Sequence, residues 1–313
     1  MVVKTEFTKQ ELVNILKNYN LDLKLSKPFK RGYVQTNILL KTNKGNYVLR
    51  YYEHRSKEYV LFELNILNYF HKHKYPCAMP IKNIQSKFIG KYRGKYYIIY
   101  DYISGRHLKK LNKKQFHELI KYSALLHNIS INYKPQYFEH RESKDKKFIL
   151  QTAKEEAKRN KEKGKERYTF IKERLNLVKL PETLPKGIIH GDFDKANIKF
   201  TGNKITGILD FDDACYTYLI YDIGMLILYW AWFYYKKLKL DIAREIITIY
   251  NKYRKLSQIE KNHIYDALQW VILVFMAFFI HDKWKGTDLY EIMKKMLFEL
   301  DNIGKNNFYK EMF

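Results

Sequence analysis

A chain of 313 residues that is 46% hydrophobic is long enough to bury a substantial core and too apolar to be disordered. Its 58 Lys and Arg against 33 Asp and Glu leave a formal charge of +25, a field suited to nucleic acid, an anionic membrane or an anionic small molecule. Its two cysteines, Cys77 and Cys215, exclude a disulfide framework and a thiolate metal cluster and fit a reducing cytoplasm, the expected location.

The charge also has a plainer reading. Lys, Asn, Ile and Tyr are abundant together, as an A+T-rich genome writes at tolerant surface positions. The first nine residues alternate polar and apolar and lack the apolar core of a signal peptide. Thr8-Lys9-Gln10-Glu11 is a capping box, with Phe7 and Leu12 placed to staple it, and opens a short helix to about Tyr19. Two β-rich runs follow, 33–42 and 46–52, joined as a hairpin by Asn43-Lys44-Gly45. Ser56 caps a helix from Lys57 to Lys72, in which Val60, Leu61, Leu64, Leu67 and Phe70 recur at helical spacing. Pro76 and Pro80 stop it. Runs 81–89 and 95–103 read as two more strands, linked through Gly90 to Gly94. At Ser104-Gly105 the chain turns helical, which places a boundary between a β-rich domain, 1–103, and a helical domain, 104–313.

In the second part, 113–128 is an amphipathic helix. Residues 141–174 hold 13 basic and 7 acidic side chains and few large apolar ones. Interleaved signs, with pairs such as Glu155 and Arg159 at i,i+4, favour a solvated helical arm over a nucleic-acid grip. Gly164 divides the arm, and Pro181 and Pro185 close it. The apolar stretches 218–235 and 267–280 contain Asp222 and Gln269. Both fall short of the roughly 20 apolar residues of a membrane span and read as buried helices. A short strand, 188–190, precedes a hairpin of 198–201 and 204–210 around Gly202-Asn203. Ser257-Gln258-Ile259-Glu260 is a second capping box and opens a long helix towards His281.

The chemistry concentrates in His190-Gly191-Asp192-Phe193-Asp194-Lys195-Ala196-Asn197 and in Asp210-Phe211-Asp212 thirteen residues on. A carboxylate, an amide five positions later and a second carboxylate after one hairpin are the parts that phosphoryl transfer needs at that spacing. Transfer of a γ-phosphoryl group is mostly positioning and charge neutralisation. Asp192 is the candidate catalytic residue, which orients the acceptor hydroxyl. Asn197 and Asp210 are candidate ligands of Mg²⁺, which takes few protein carboxylates beside phosphate and water. His190 reads as structural, and Gly191 as an allowance for a tight backbone path. Asp222 sits among apolar residues, must be hydrogen-bonded, and is expected to tie the catalytic loop together.

The runs IIHGDFDKANIKF and GILDFDDACYTYLIYDIG resemble the aminoglycoside phosphotransferase and choline kinase superfamily, with the homoserine-kinase-like branch nearest. The resemblance covers about residues 30–232. It implies an α+β, protein-kinase-like two-lobe fold with a small β-rich N-lobe, a larger, mainly helical C-lobe, and ATP in the cleft. By the same resemblance Asp192 matches the base, and Asn197 and Asp210 match the metal ligands. Tyr100-Asp101-Tyr102-Ile103 matches the hinge, where the Asp101 carbonyl and the Ile103 N–H would meet adenine. Glu63 matches the acid that pairs with a basic strand residue, here Arg50 where many kinases carry Lys; an arginine keeps its charge and binds phosphate bidentately. The departure is Lys30 to Asn37, with one glycine and no Gly-rich backbone cradle; Thr36 and the neighbouring backbone would serve instead.

The acceptor implied is a small hydroxyl compound, an amino alcohol or amino acid such as homoserine or choline. An aminoglycoside-type antibiotic is the alternative within the class, and a non-catalytic kinase-fold protein holding RNA or anionic lipid the alternative outside it. The expected partners are ATP and the acceptor, with no specific nucleic acid and no membrane. Asp212 and Asp213 read equally as an acidic patch for a cationic acceptor or as surface turn residues. Trp270, Phe278 and Trp284 either line an acceptor pocket or pack the core.

Overall fold

The structure, a computed structural model, describes residues 3–29, 34–233, 235, 237–281 and 286–313. Half of the expected nucleotide loop, residues 30–33, and Trp284 lie outside the described residues.

The chain begins with α1 (Lys9–Lys17), β1 (Leu23–Pro28), β2 (Thr36–Thr42), β3 (Gly45–Tyr51), α2 (Lys57–Lys72), β4 (Ile89–Tyr92) and β5 (Lys95–Asp101). Next come α3 (Lys113–Ser130), α4 (Lys146–Arg159), α5 (Gly164–Leu177), β6 (Lys186–Ile189), β7 (Ile198–Thr201), β8 (Lys204–Ile208) and β9 (Cys215–Tyr218). The chain then runs through α6 (Ile220–Ile227), a π-helical turn (Leu228–Phe233), α7 (Leu240–Tyr253), α8 (Gln258–Lys261), α9 (Ile264–Phe278), α10 (Leu289–Ile303) and α11 (Lys305–Met312). These elements form two compact units. One comprises Met1–Lys109, Pro135–His140 and Ala196–Leu209; the other comprises Lys110–Lys134, Arg141–Lys195 and Asp210–Phe313.

The first unit is built on an antiparallel sheet of order β1-β2-β3-β5-β4. Thr36, Ile38, Leu40 and Thr42 alternate inward along β2, as period-two pleating requires. Ile38 and Leu40 join Leu49 and Tyr51 of β3, Tyr97 and Ile99 of β5, and Leu12, Ile15 and Leu16 of α1 in one core. The capping box at Thr8 forms in full, and so does the Ser56 cap of α2, whose side chain accepts from Tyr59 N–H. The β7–β8 hairpin belongs to this unit. It is tied to it through Arg106, which exchanges backbone hydrogen bonds with Phe200, and through the Ile208 amide on the Pro76 carbonyl.

The second unit is mainly helical, around α3, α6, α7 and α9. Helix α9 is apolar on nearly all sides because it is buried on nearly all sides. Among the described residues no helix is long and apolar enough to cross a membrane.

Several local expectations need correction. Residues 81–89 do not form a strand; the strand is β4, at Ile89–Tyr92, reached through Asn83, whose side chain closes the loop on the amides of Gln85 and Lys87. Strand β1 was not expected, since Leu23–Pro28 carries only a weak apolar alternation. Strand β9, which pairs with β6, was not expected. The capping box at Ser257 opens only the short α8, and the long helix restarts at Ile264. Arg159 pairs with Glu156 at i,i+3 instead of Glu155. Gly164 does divide the arm into α4 and α5; a side chain there would meet the Ala157 carbonyl at 2.0 Å.

Candidate active site

Within the second unit, β6 delivers the loop that begins at His190. Its path is fixed from beneath by Asp222 in the first turn of α6, which is fully buried. Asp222 Oδ2 accepts from the His190 amide at 2.8 Å, and Oδ1 accepts from the Gly191 amide at 2.9 Å. Gly191 has φ +78, and a side chain there would meet the Asp213 carbonyl at 2.7 Å, so the loop passes the 211–213 turn at a distance only glycine allows. His190 is wholly buried, its ring against Phe193 and Phe211, and its Nδ1 accepts from the Asp192 amide at 3.2 Å. The structural role expected for it holds.

Asp222 is the near end of a longer chain of buried polar groups. His127 of α3 donates from Nε2 to Asp222 Oδ2 at 3.0 Å and meets the Tyr250 hydroxyl of α7 through Nδ1 at 2.5 Å. Burial holds the His127 imidazole below its ordinary pKa, against the pull of Asp222, so the ring is neutral and Tyr250 donates to it. Arg254 then donates to Tyr250 at 3.3 Å and to Glu260 at 2.7 Å. Every link satisfies a group that would otherwise be costly to bury.

The loop presents Asp192 partly exposed. Burial raises its carboxyl, the nearby Asp213 raises it further, and Asp210 and Asp194 add to this; the Tyr229 hydroxyl, which donates to Oδ1 at 2.8 Å, works the other way. The result is a carboxyl pushed up to about 7, the range in which a carboxylate works as a base near neutrality. Asp210 has φ +65 and ψ +71, a left-handed conformation that is uncommon outside glycine, and its side chain is exposed. The turn after it, Phe211–Asp213, is held by Arg141, whose buried guanidinium donates to the carbonyls of Phe211, Asp212 and Ala214. Asp212 is buried. The Asp213 side chain is half exposed, with buried Lys144 4.0 Å away. Trp270 is buried and donates to the Lys144 carbonyl, while Phe278 packs on Phe148, so both serve packing.

In the first unit the expected pair of Arg50 and Glu63 forms at 3.8 Å, both side chains buried. Glu63 also accepts from the Tyr100 hydroxyl at 3.2 Å, itself 3.0 Å from that of Tyr52. The Thr36 hydroxyl donates to buried Glu53 at 2.6 Å, where the amide and hydroxyl of Thr5 and the Lys95 ammonium also converge. Asp101 ends β5, with its amide on the Met79 carbonyl, and the Ile103 carbonyl accepts from Lys199 at 2.6 Å. Asn197 is nearly buried, and its carbonyl accepts from the amide of Leu209, so the hairpin returns the chain beside it one residue before Asp210.

Arg141, His127, Tyr229 and Tyr250 were not singled out from sequence. Asp222 announced that it needed partners but not which ones, and nothing in the apolar run 218–235 distinguishes Tyr229 from its neighbours.

The phosphotransferase enzyme family model matches residues 26–253. Among curated proteins the chain is 27% identical over 266 residues to a homoserine kinase of Bradyrhizobium diazoefficiens, covering 83% of this chain and 80% of that one. It is 28% identical over 279 residues to a homoserine kinase of Caulobacter vibrioides, covering 83% of each. Among solved structures it is similar to amicoumacin kinase in complex with AMP-PNP and Ca²⁺, with a TM-score of 0.72 and 17% identity over 95% of this chain and 94% of that one. It is also similar to a microcompartment-associated aminopropanol kinase, with a TM-score of 0.64 and 13% identity over 96% and 98%. These two likenesses bear on the fold, which is kinase-like with a β-rich part and a mainly helical remainder. With the family matched over most of its length, the chain belongs to the phosphotransferase enzymes and is a small-molecule kinase.

Proposed function

We propose that the protein transfers the γ-phosphoryl group of ATP to the hydroxyl of a small amino acid or amino alcohol, with homoserine the leading acceptor and choline the next. The observation that carries this reading is the placement of Asp192, on a loop whose His190 and Gly191 amides Asp222 holds, with its carboxyl fixed by the Tyr229 hydroxyl. Asp192 accepts a hydrogen bond from the acceptor hydroxyl and takes its proton as the new O–P bond forms. The bond from the γ-phosphorus to the bridging oxygen breaks, and its electron pair leaves with ADP. The proton then passes from Asp192 to water.

Asp210 and Asn197 would hold Mg²⁺, which when bound neutralises phosphate charge. Their chemistry fits that ion: one is an exposed carboxylate, the other a neutral amide oxygen. Arg50, oriented by Glu63, would meet the phosphates. The Asp101 carbonyl and Ile103 amide would meet adenine. With its hydroxyl engaged by Glu53, Thr36 would contribute through its backbone. Homoserine is favoured because the curated relatives described above carry that activity in their names; nucleotide and divalent-metal use is supported by the AMP-PNP and Ca²⁺ of the amicoumacin kinase complex.

Two measurements test the reading. ATP consumption with Mg²⁺ and a panel of homoserine, choline, ethanolamine, sugars and aminoglycosides should be fastest with homoserine; no turnover with any of them overturns it. Titration calorimetry of Asp210→Ala should show Mg-ATP affinity reduced by at least about a hundredfold, because the charged ligand is gone. Unchanged affinity removes Asp210 from the metal site.

A further inference from the structure

The helix after Asp222 does not continue as a regular α-helix. At Leu228–Phe233 it widens into a π-helical turn, a feature often found at functional positions because the extra residue redirects side chains at some cost in stability. Two consecutive aromatic residues of this turn reach the same loop. Tyr229 donates its hydroxyl to Asp192 Oδ1 at 2.8 Å, and Trp230 donates its indole N–H to the Phe193 carbonyl at 3.0 Å. Their rings are themselves braced, Tyr229 edge-on to Phe275 of α9 and Trp230 against Phe116 of α3.

We propose that Tyr229 is a positioning residue that fixes the plane in which the Asp192 carboxylate faces the acceptor. The proposal rests on Asp192 being the base. A carboxylate turns easily about its last torsion, where the energy wells are broad and two-fold. A base whose lone pair must lie in line with an acceptor proton loses rate when it turns, even if both substrates still bind. The Tyr229 hydroxyl stops that rotation at Oδ1, and the Trp230 bond to the next residue stops the loop from moving with it. The widened turn is the means by which neighbouring residues provide both holds.

Tyr229→Phe keeps the ring and its packing on Phe275 and removes only the hydroxyl. The expected result is a kcat lowered about ten- to a hundredfold, with KM for ATP and for the acceptor within about twofold of wild type and an unchanged melting temperature. A loss confined to KM, or no loss at all, overturns the proposal. Asp192→Asn, assayed in parallel, separates this failure from failure of the underlying reading. If Asp192→Asn is inactive and Tyr229→Phe fully active, Asp192 remains the base and Tyr229 is packing. If Asp192→Asn is active, the assignment of the base itself falls.

Discussion

Asp192→Asn should lower kcat by at least about a thousandfold and, near pH 8, leave the protein more stable than wild type. Both effects have one cause. Burial and the neighbouring Asp213 hold the Asp192 carboxyl at about 7, far above its ordinary 3.8. A folded-state value above the unfolded one means that ionisation of this group works against folding. The penalty is absent below the unfolded value, grows through the interval between the two, and is complete above about pH 7. Full linkage over that interval would be roughly 4 kcal/mol; because Asp192 keeps contact with water, a gain of about 2 kcal/mol is the expectation for the asparagine variant. The gain should fade as pH falls from 7 towards 4, which denaturant titrations at several pH values would follow. As the proposed base, the same carboxyl should also set the rate. In the wild type, kcat/KM should rise about tenfold per pH unit below neutrality and level off above about 7, since that parameter reports the free enzyme. A limb centred near the ordinary carboxyl value would mean that burial is not tuning the base.

Parts of the candidate site are legible in the sequence, for specific reasons. The spacing of Asp192, Asn197 and Asp210 is local, separated by one loop and one hairpin, and the Gly202-Asn203 turn announces that hairpin. The cap at Ser56 and the periodicity of α2 gave its bounds as observed, and they carry Glu63 to Arg50. Asp222 could be read because a carboxylate in an apolar run has to be satisfied. What the sequence hid depends on long-range packing. The partners of Asp222 include His127, 95 residues earlier, and Tyr250 stands 123 residues beyond His127. Strand β9 has the residues of a buried segment of either type, and only its pairing with β6 settles it. Arg141 lies at the head of a lysine-rich arm, where one more cation carries no signal. The π-helical turn leaves no mark, because every residue from Met225 to Phe233 is apolar or aromatic.

Asp222→Ala should destabilise the protein by about 4 kcal/mol and abolish activity, although Asp222 is not assigned contact with either substrate. Its carboxylate accepts from the amides of His190 and Gly191 and from His127, all inside the second unit. Alanine would leave two backbone N–H groups and an imidazole N–H buried without that acceptor, the kind of loss that costs roughly 3–5 kcal/mol. Asparagine is a poor rescue, because its amide would point a donor at donors. The damage should diminish along the buried chain, from Asp222→Ala to His127→Ala to Tyr250→Phe, since each step lies one hydrogen bond further from the loop. Acid should act on the same chain. Burial depresses the His127 pKa below its ordinary 6.5, so the unfolded state takes up this proton more readily and stability falls as pH drops through that value. Denaturant unfolding and kcat measured across the three variants decide the matter. A graded series places the hold on the catalytic loop in the chain that starts at Asp222; a flat one, with wild-type rates, would assign it to the packing of Phe193 and Phe211 around His190.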